Sequence, residues 1–308
     1  MKVKSISHST GKIASLLDRG ASFAVDLDAT AEAELLGCGE DIVCSKELYA
    51  PAVKNIAKKV MGFFGCDYGM ELKIEYDTPE GVGLGDMEAV STAAMLSVVG
   101  ALAKHHGSIN ELKIDKYLKE QFVVIDDTVV DKRKLIEIYP GNDFDRMCAA
   151  AYGGFIISDN KNKEILRRGE METLHAVILI PNADKVGFNP LLSNESEIAW
   201  QEALKGNLYS AMKLNNLVRG RKIHKEIMEK MLESGALTAS VSGRGPSMVG
   251  LVRDENKIED IVNAVENHGE VFVKKTANEE AKILGKPRKI MKVSEFLELE
   301  GAEEFRYL

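Results

Sequence analysis

The stretch Pro79–Leu96 constrains this chain more than any other. Three glycines, Gly81, Gly83 and Gly85, fall within five residues. Met70 to Tyr76, just before them, alternates apolar and polar side chains with the period of a half-buried strand. After them, Ala89 to Lys104 is apolar on nearly all sides, the mark of a helix packed between layers. The spacing predicts strand, glycine loop and helix over 70–104, with Ala93, Leu96 and Val99 inside. Such a junction can turn backbone N–H groups and a helix N-terminus toward an anion, usually a phosphate. The same glycines also suit a plain tight turn. No Gly-Lys-Ser/Thr follows, and the glycines lack the dinucleotide-binding spacing.

Composition narrows the setting. The 308 residues are 45% hydrophobic and 29% charged, enough for one large or two medium globular domains. A formal net charge of -8 argues against general binding to nucleic acid or to an anionic membrane. No apolar run reaches the length of a membrane span. Lys2 and Lys4 precede no apolar core, so no signal peptide is expected. Cys38, Cys44, Cys66 and Cys148 form no Cys-x-x-Cys pair, which suggests reduced thiols and a cytoplasmic protein. The six histidines are scattered and show no metal-binding spacing.

Residues 1–36 read as strand, helix, strand, with Ser7 to Leu17 short and mixed and Gly20 a turn. Asp26 and Asp28 suit a strand edge. Residues 47–65 predict an amphipathic helix with Leu48, Val53, Ile56, Ala57, Val60, Met61 and Phe64 on one face. A further helix is expected over 109–121, and short strands over 122–125 and 135–139. Phe144 to Tyr152 reads as a small-residue helix ending on Gly153-Gly154, followed by a strand, a turn at Asp159-Asn160 and a buried strand from His175 to Pro181. Helices are expected at 194–204, 207–216, 221–234 and 258–267, and strands on either side of Ser242–Ser247. The tail from Pro287 is charged, with Ile290, Val293, Phe296, Leu297 and Leu299 at helical spacing.

Three segments together resemble the GHMP kinases, and within them the archaeal shikimate kinases. Arg19-Gly20-Ala21-Ser22-Phe23-Ala24-Val25 is similar to the family's N-terminal segment. Tyr152-Gly153-Gly154 with Asp159-Asn160 resembles its Gly-Gly, strand and Asp-Asn turn. Ser242-Gly243-Arg244-Gly245-Pro246-Ser247, with Gly235-Ala236-Leu237 before it, resembles its third motif, Ser-Gly-Thr-Gly-Pro-Ser. The likeness runs from about residue 10 to 284 in order and spacing. It implies an α+β fold of two domains, a ribosomal S5 domain 2-like unit over 1–160 and a ferredoxin-like unit over 161–286, with 287–308 as the tail. It also implies phosphoryl transfer from ATP, with magnesium, to a hydroxyl of a small and anionic metabolite. Protein groups in that chemistry mainly position reactants and stabilise charge.

By resemblance, Gly81, Gly83, Leu84, Gly85, Asp86 and Glu88 stand at the nucleotide loop. Arg19, Ser22, Ser242, Gly243, Arg244 and Gly245 stand where substrate is contacted. Two departures fall on the chemistry. The family's loop continues from Gly-Leu into serines that hold phosphate and magnesium, whereas this chain has Gly85, Asp86, Met87 and Glu88. Like charges about 4 Å apart cost roughly 1 kcal/mol in water and several times more in a partly buried site. Asp86 and Glu88 either bind magnesium or satisfy the α-helix N-terminus from within. The family's catalytic aspartate falls on Arg146, which cannot serve as a base; Asp145, just before it, is an acid that can, or an N-cap. The paired change of charge predicts Arg146 within about 6 Å of the Asp86 or Glu88 carboxylate.

The expected function is a small-molecule transferase of this type, with a small-molecule substrate and room for a homodimer, and with neither nucleic acid nor membrane as partner. Two alternatives stand beside it: a repurposed enzyme that no longer uses ATP as a kinase does and needs no such cofactor, and a catalytically silent ligand-binding or scaffold protein.

Overall fold

In the computed structural model the described residues are 2–106 save Phe64 and Thr78, 122–125, 128–131, 136–284 save Pro140 and Phe188, and 289–291. The chain opens with two long antiparallel strands, β1 (Lys2–Ser15) and β2 (Arg19–Cys38). No helix interrupts residues 1–36, contrary to the sequence reading. β2 is an inner strand, with β1 on one side and β4 (Tyr68–Tyr76) and β7 (Phe155–Asp159) on the other; Asp26 and Asp28 lie in the gap between the stretch paired with β7, which ends at Phe23, and the stretch paired with β4, which begins at Ala29. β3 (Ile42–Cys44) pairs with β4, β8 (Glu164–Gly169) with β7, and β13 (Lys282–Leu284) returns to β1, completing a seven-stranded sheet.

Three helices cover one face of that sheet: α1 (Ala50–Phe63), α2 (Asp86–His106) and α3 (Phe144–Tyr152). In α1, Val53, Ile56, Ala57, Val60 and Met61 turn inward as their spacing predicts, while Leu48, which precedes the helix, is exposed. α2 is buried between α1, α3 and the sheet, with Ala93, Leu96 and Val99 all inside. Small residues make this possible: Ser5 and Ser7 on β1 donate to the Ala93 and Ala150 carbonyls, so sheet and helices approach closely.

A second sheet has the order β10 (Thr238–Val241), β11 (Met248–Val252), β9 (His175–Pro181), β12 (Gly269–Lys275), all antiparallel. It packs with α4 (Ser193–Lys205), α5 (Leu208–Arg219), α6 (Lys222–Glu233) and α7 (Ile258–Val265) around two further apolar clusters. A three-stranded sheet joins β5 (Phe122–Ile125), β6 (Thr128–Asp131) and β14 (Lys289–Met291). Ile290 is therefore in a strand, not a helix, and residues 136–138 form a helical turn where a strand was expected. The helix expected over 109–121 and the tail from 292 lie outside the described residues. Among the described residues no helix is long and apolar enough to cross a membrane.

Candidate active site

The glycine loop between β4 and α2 holds a shape that side chains would forbid. Gly81, Gly83 and Gly85 have φ of 70°, 95° and 70°, the left-handed region. A Cβ on Gly83 would lie 2.3 Å from the Ser242 carbonyl oxygen, and one on Gly85 2.2 Å from Thr10 Oγ1. Loop carbonyls face inward and are used: Thr10 N–H donates to Leu84 (2.8 Å) and Ser247 N–H to Val82 (3.0 Å). The Gly83 carbonyl accepts from Ser242 Oγ (2.7 Å) and from Arg146 (2.9 Å). The loop thereby rests on the Ser242–Ser247 turn. The N–H groups of Gly83, Leu84 and Gly85 donate to no group among the described residues, at the start of a helix of 21 residues.

Asp86 and Glu88 sit in the first turn of α2. Asp86 accepts from the Gly81 N–H and from the Tyr49 hydroxyl, both at 3.1 Å, so it folds the loop back on itself. Glu88 is buried and accepts from the Tyr139 hydroxyl at 3.0 Å. Burial pushes its carboxyl up to about 7; Asp143 adds to the rise, and Arg146 and Tyr139 oppose it. Burial thus favours the uncharged form of Glu88, which lessens the repulsion expected between this helix start and a phosphate. Neither acid belongs to a cluster of three metal-binding side chains among the described residues.

Arg146 does not make the direct ion pair expected with these acids. Its guanidinium donates to the Gly83 carbonyl and to Ser242 Oγ (3.2 Å), and no carboxylate of the described residues lies within 4.0 Å of it. It supports Glu88 only through the longer-range field. Arg146 is buried and its field reaches Glu88, but its close partners are the two acceptors that the loop and the third motif offer where it emerges from α3. A Cβ on Gly243, whose φ is 58°, would meet that guanidinium at 2.5 Å.

Asp145 faces the other way, into a closed polar nest. Its carboxylate accepts from Lys12 Nζ at 2.6 Å, from Ser22 Oγ, and from Asn160 Nδ2 at 2.9 Å. Its own N–H donates to Asn160 Oδ1. Lys12 and Asp145 are 3% and 0% exposed, so this is a buried ion pair with its remaining lone pairs satisfied. Gly20 makes room, since a Cβ there would lie 2.3 Å from the carboxylate. Lys12 also reaches Asp143 Oδ1 at 3.5 Å; Lys12 first, then Arg146 and Arg244, hold Asp143 below the ordinary carboxylate range.

Of the residues singled out by sequence, the structure brings together the glycine loop, Asp86, Glu88, Arg146, Ser242, Gly243 and Gly245, and sets Ser22 on Asp145. Arg244 is exposed on the turn. Arg19 is committed elsewhere: it pairs with Glu197 at 2.9 Å and stacks over Trp200 at 4.9 Å. Lys12, Asn160 and Tyr139 were missed as site residues. Also missed were two buried hydroxyls without a partner among the described residues, Thr10 Oγ1 beside Gly85 and Ser247 Oγ in the third motif. Thr10 and Lys12 share one face of β1 at a spacing of two, a signal hidden when 7–17 is not read as strand.

The chain is similar to known proteins. Residues 206–271 match the family model "GHMP kinases C terminal". A homoserine kinase structure from Cytophaga hutchinsonii superposes with a TM-score of 0.64 at 17% identity, covering 92% of this chain and 97% of that one. The chain has the GHMP kinase fold. A mevalonate kinase from Leishmania major, solved with R-mevalonate, superposes with a TM-score of 0.60 at 12% identity, over 90% and 96% of the two chains. In sequence, the shikimate kinase of Methanothermobacter thermautotrophicus is 28% identical over 275 residues, 86% of this chain and 92% of that protein. GHMP kinases act on small molecules with ATP. The loop amides and the Thr10 and Ser247 hydroxyls of this chain fit a phosphate-bearing nucleotide, because they are donors without a partner among the described residues.

Proposed function

We propose that this protein is a small-molecule kinase that phosphorylates a hydroxyl of an anionic metabolite, with shikimate as the acceptor to test first. The observation that carries the reading is the buried Lys12–Asp145 pair, held on the same strand–helix framework as a glycine loop with free amides. ATP, when bound, supplies the transferable phosphoryl group, and magnesium its counter-charge.

The chain's own residues then divide the work. Loop amides of Gly83, Leu84 and Gly85, with the Thr10 and Ser247 hydroxyls, hold phosphate oxygens. Lys12 pairs with Asp145 and offers positive charge where the acceptor oxygen becomes an alkoxide. In this reading the acceptor hydroxyl displaces one of the donors that now fill the Asp145 carboxylate, and Asp145 then orients that hydroxyl and takes its proton. Ser22 and Asn160 fix the carboxylate, and burial of the nest keeps water from competing. Arg146 locks the glycine loop to the Ser242–Ser247 turn, and Arg244 adds positive charge at the mouth for an anionic acceptor. Arg19 has a structural duty in this reading, since Glu197 and Trp200 occupy it.

A second reading, a GHMP fold that no longer transfers phosphate, draws support from Asp86 and Glu88 at the start of α2. Thermal-shift titration separates the two. Saturation at a hundred times the dissociation constant stabilises by about 2.7 kcal/mol. The kinase reading expects a rise in Tm with magnesium-ATP and a further rise with shikimate. No response to magnesium-ATP would favour the second reading.

A further inference from the structure

The β1–β2 pair carries a bulge whose consequence is chemical. Ser9 is opposite Val25, but the residue before it on β1, His8, is opposite Asp28. Asp26 and Leu27 are thus extra on β2, and bulges of this kind re-aim side chains. Leu27 turns into the core, which sends Asp26 and Asp28 to the other face together. His8 meets them there, because Ser7 next to it points toward α3. The imidazole nitrogen and the two carboxylate oxygens all lie within 4.8 Å of one another. His8 Nδ1 is 3.2 Å from Asp28 Oδ1.

The charges around this group are unbalanced. Among the described residues no lysine or arginine lies within 4.0 Å of Asp26 or Asp28. Asp28 has His8 as its polar partner, and Asp26 has none that any contact records. A third carboxylate, Glu279, is close enough to feel both His8 and Asp28, and its own cation, Lys282, offsets only one charge. His8 is 8% exposed and finds its polar contact only inside the group, so a buried nitrogen ligand is held in place against an excess of negative charge.

We propose that His8, Asp26 and Asp28 form a site for a divalent first-row transition-metal ion, separate from any nucleotide-bound magnesium. One imidazole and two carboxylates are a donor set for Zn²⁺, Co²⁺ or Mn²⁺. With metal–ligand bonds near 2.0–2.2 Å, neighbouring ligands stand roughly 3.0–3.5 Å apart, the separation His8 and Asp28 already have. Asp26 is exposed and free to swing the remaining distance, and its side leaves positions open to solvent. The ion would pin β1 to β2 at the bulge, two residues before Thr10 and four before Lys12. It is a structural tie, not a participant in phosphoryl transfer.

The test uses the full chain without nucleotide. Co²⁺ is titrated while its visible absorption is followed, and equilibrium dialysis gives the stoichiometry. One ion per chain is expected, displaced by Zn²⁺, with at least a tenfold loss of affinity in His8→Gln and in Asp26→Asn. Zn²⁺ should raise the Tm of the wild type and leave that of both variants unchanged, a readout that holds even if the variants are less stable without metal. Absence of a Co²⁺ absorption band in the wild type would overturn the proposal and leave His8–Asp28 an ordinary hydrogen-bonded pair. So would metal binding that both variants retain.

Discussion

Glu88 is the residue where burial and function meet. Its folded-state value of about 7 stands above the ordinary 4.5 of a glutamate, so the folded protein holds its proton more tightly than the unfolded chain does. That contribution is complete below about pH 4.5 and is lost as pH rises through 7. Glu88→Gln should abolish this loss. Urea unfolding at pH 5 and pH 8 is expected to show the variant gaining on the wild type by the order of 3 kcal/mol across that range; parallel pH profiles would refute it. Magnesium-ATP affinity should follow the same group, weakening for the wild type as Glu88 ionises and staying flatter in the variant. Asp145 gives a second prediction of another kind. Asp145→Asn should keep nucleotide binding but lower kcat by about 10²–10⁴, whereas Lys12→Met strands a buried carboxylate and should cost about 3–5 kcal/mol of stability. Equal kinetic and structural damage from both would mean that the pair is only a core ion pair.

At the scale of elements, the glycine loop is the part most exactly fitted to its neighbours. A methyl group on Gly83 runs into the Ser242 backbone, while one on Gly81 meets only the end of the Lys185 side chain at 3.3 Å. Both carry positive φ, so each alanine costs about 1 kcal/mol or more in backbone strain. Gly83→Ala should therefore lower Tm clearly more than Gly81→Ala in a thermal melt. Equal losses would deny the close approach. This loop and its helix were legible in the sequence because period two gives way to an apolar run at a cluster of glycines. The β1–β2 hairpin was not, because Ser5, Ser7, Ser9 and Gly11 occupy inner positions where close packing requires small residues, and the alternation of strand hydrophobicity is erased. With the hairpin went Lys12 and Thr10. Asp145 was legible as an acid beside Arg146, but its saturation by Lys12, Ser22 and Asn160 depends on residues 133, 123 and 15 positions away, which no local pattern announces. Arg146 shows another limit: its charge complementarity to Glu88 is visible in sequence and its field does reach that acid, but its hydrogen bonds to the Gly83 carbonyl and Ser242 depend on tertiary packing that no local pattern announces.

For the whole molecule, the proposed phosphoryl transfer brings together parts from distant stretches of the chain. Lys12 and Ser22 come from the opening hairpin, Asp145 from α3, and Ser242–Ser247 from the second sheet, with the glycine loop between them. The four contributions span 236 positions, from 12 to 247 inclusive, and only the complete fold assembles them. The most direct test is ³¹P NMR of the full-length protein with magnesium-ATP and shikimate. The account predicts a phosphate monoester and ADP formed in equal amounts, dependent on shikimate and lost in Asp145→Asn. ATP that persists unchanged beside folded wild-type protein, or is consumed equally by Asp145→Asn, would contradict it.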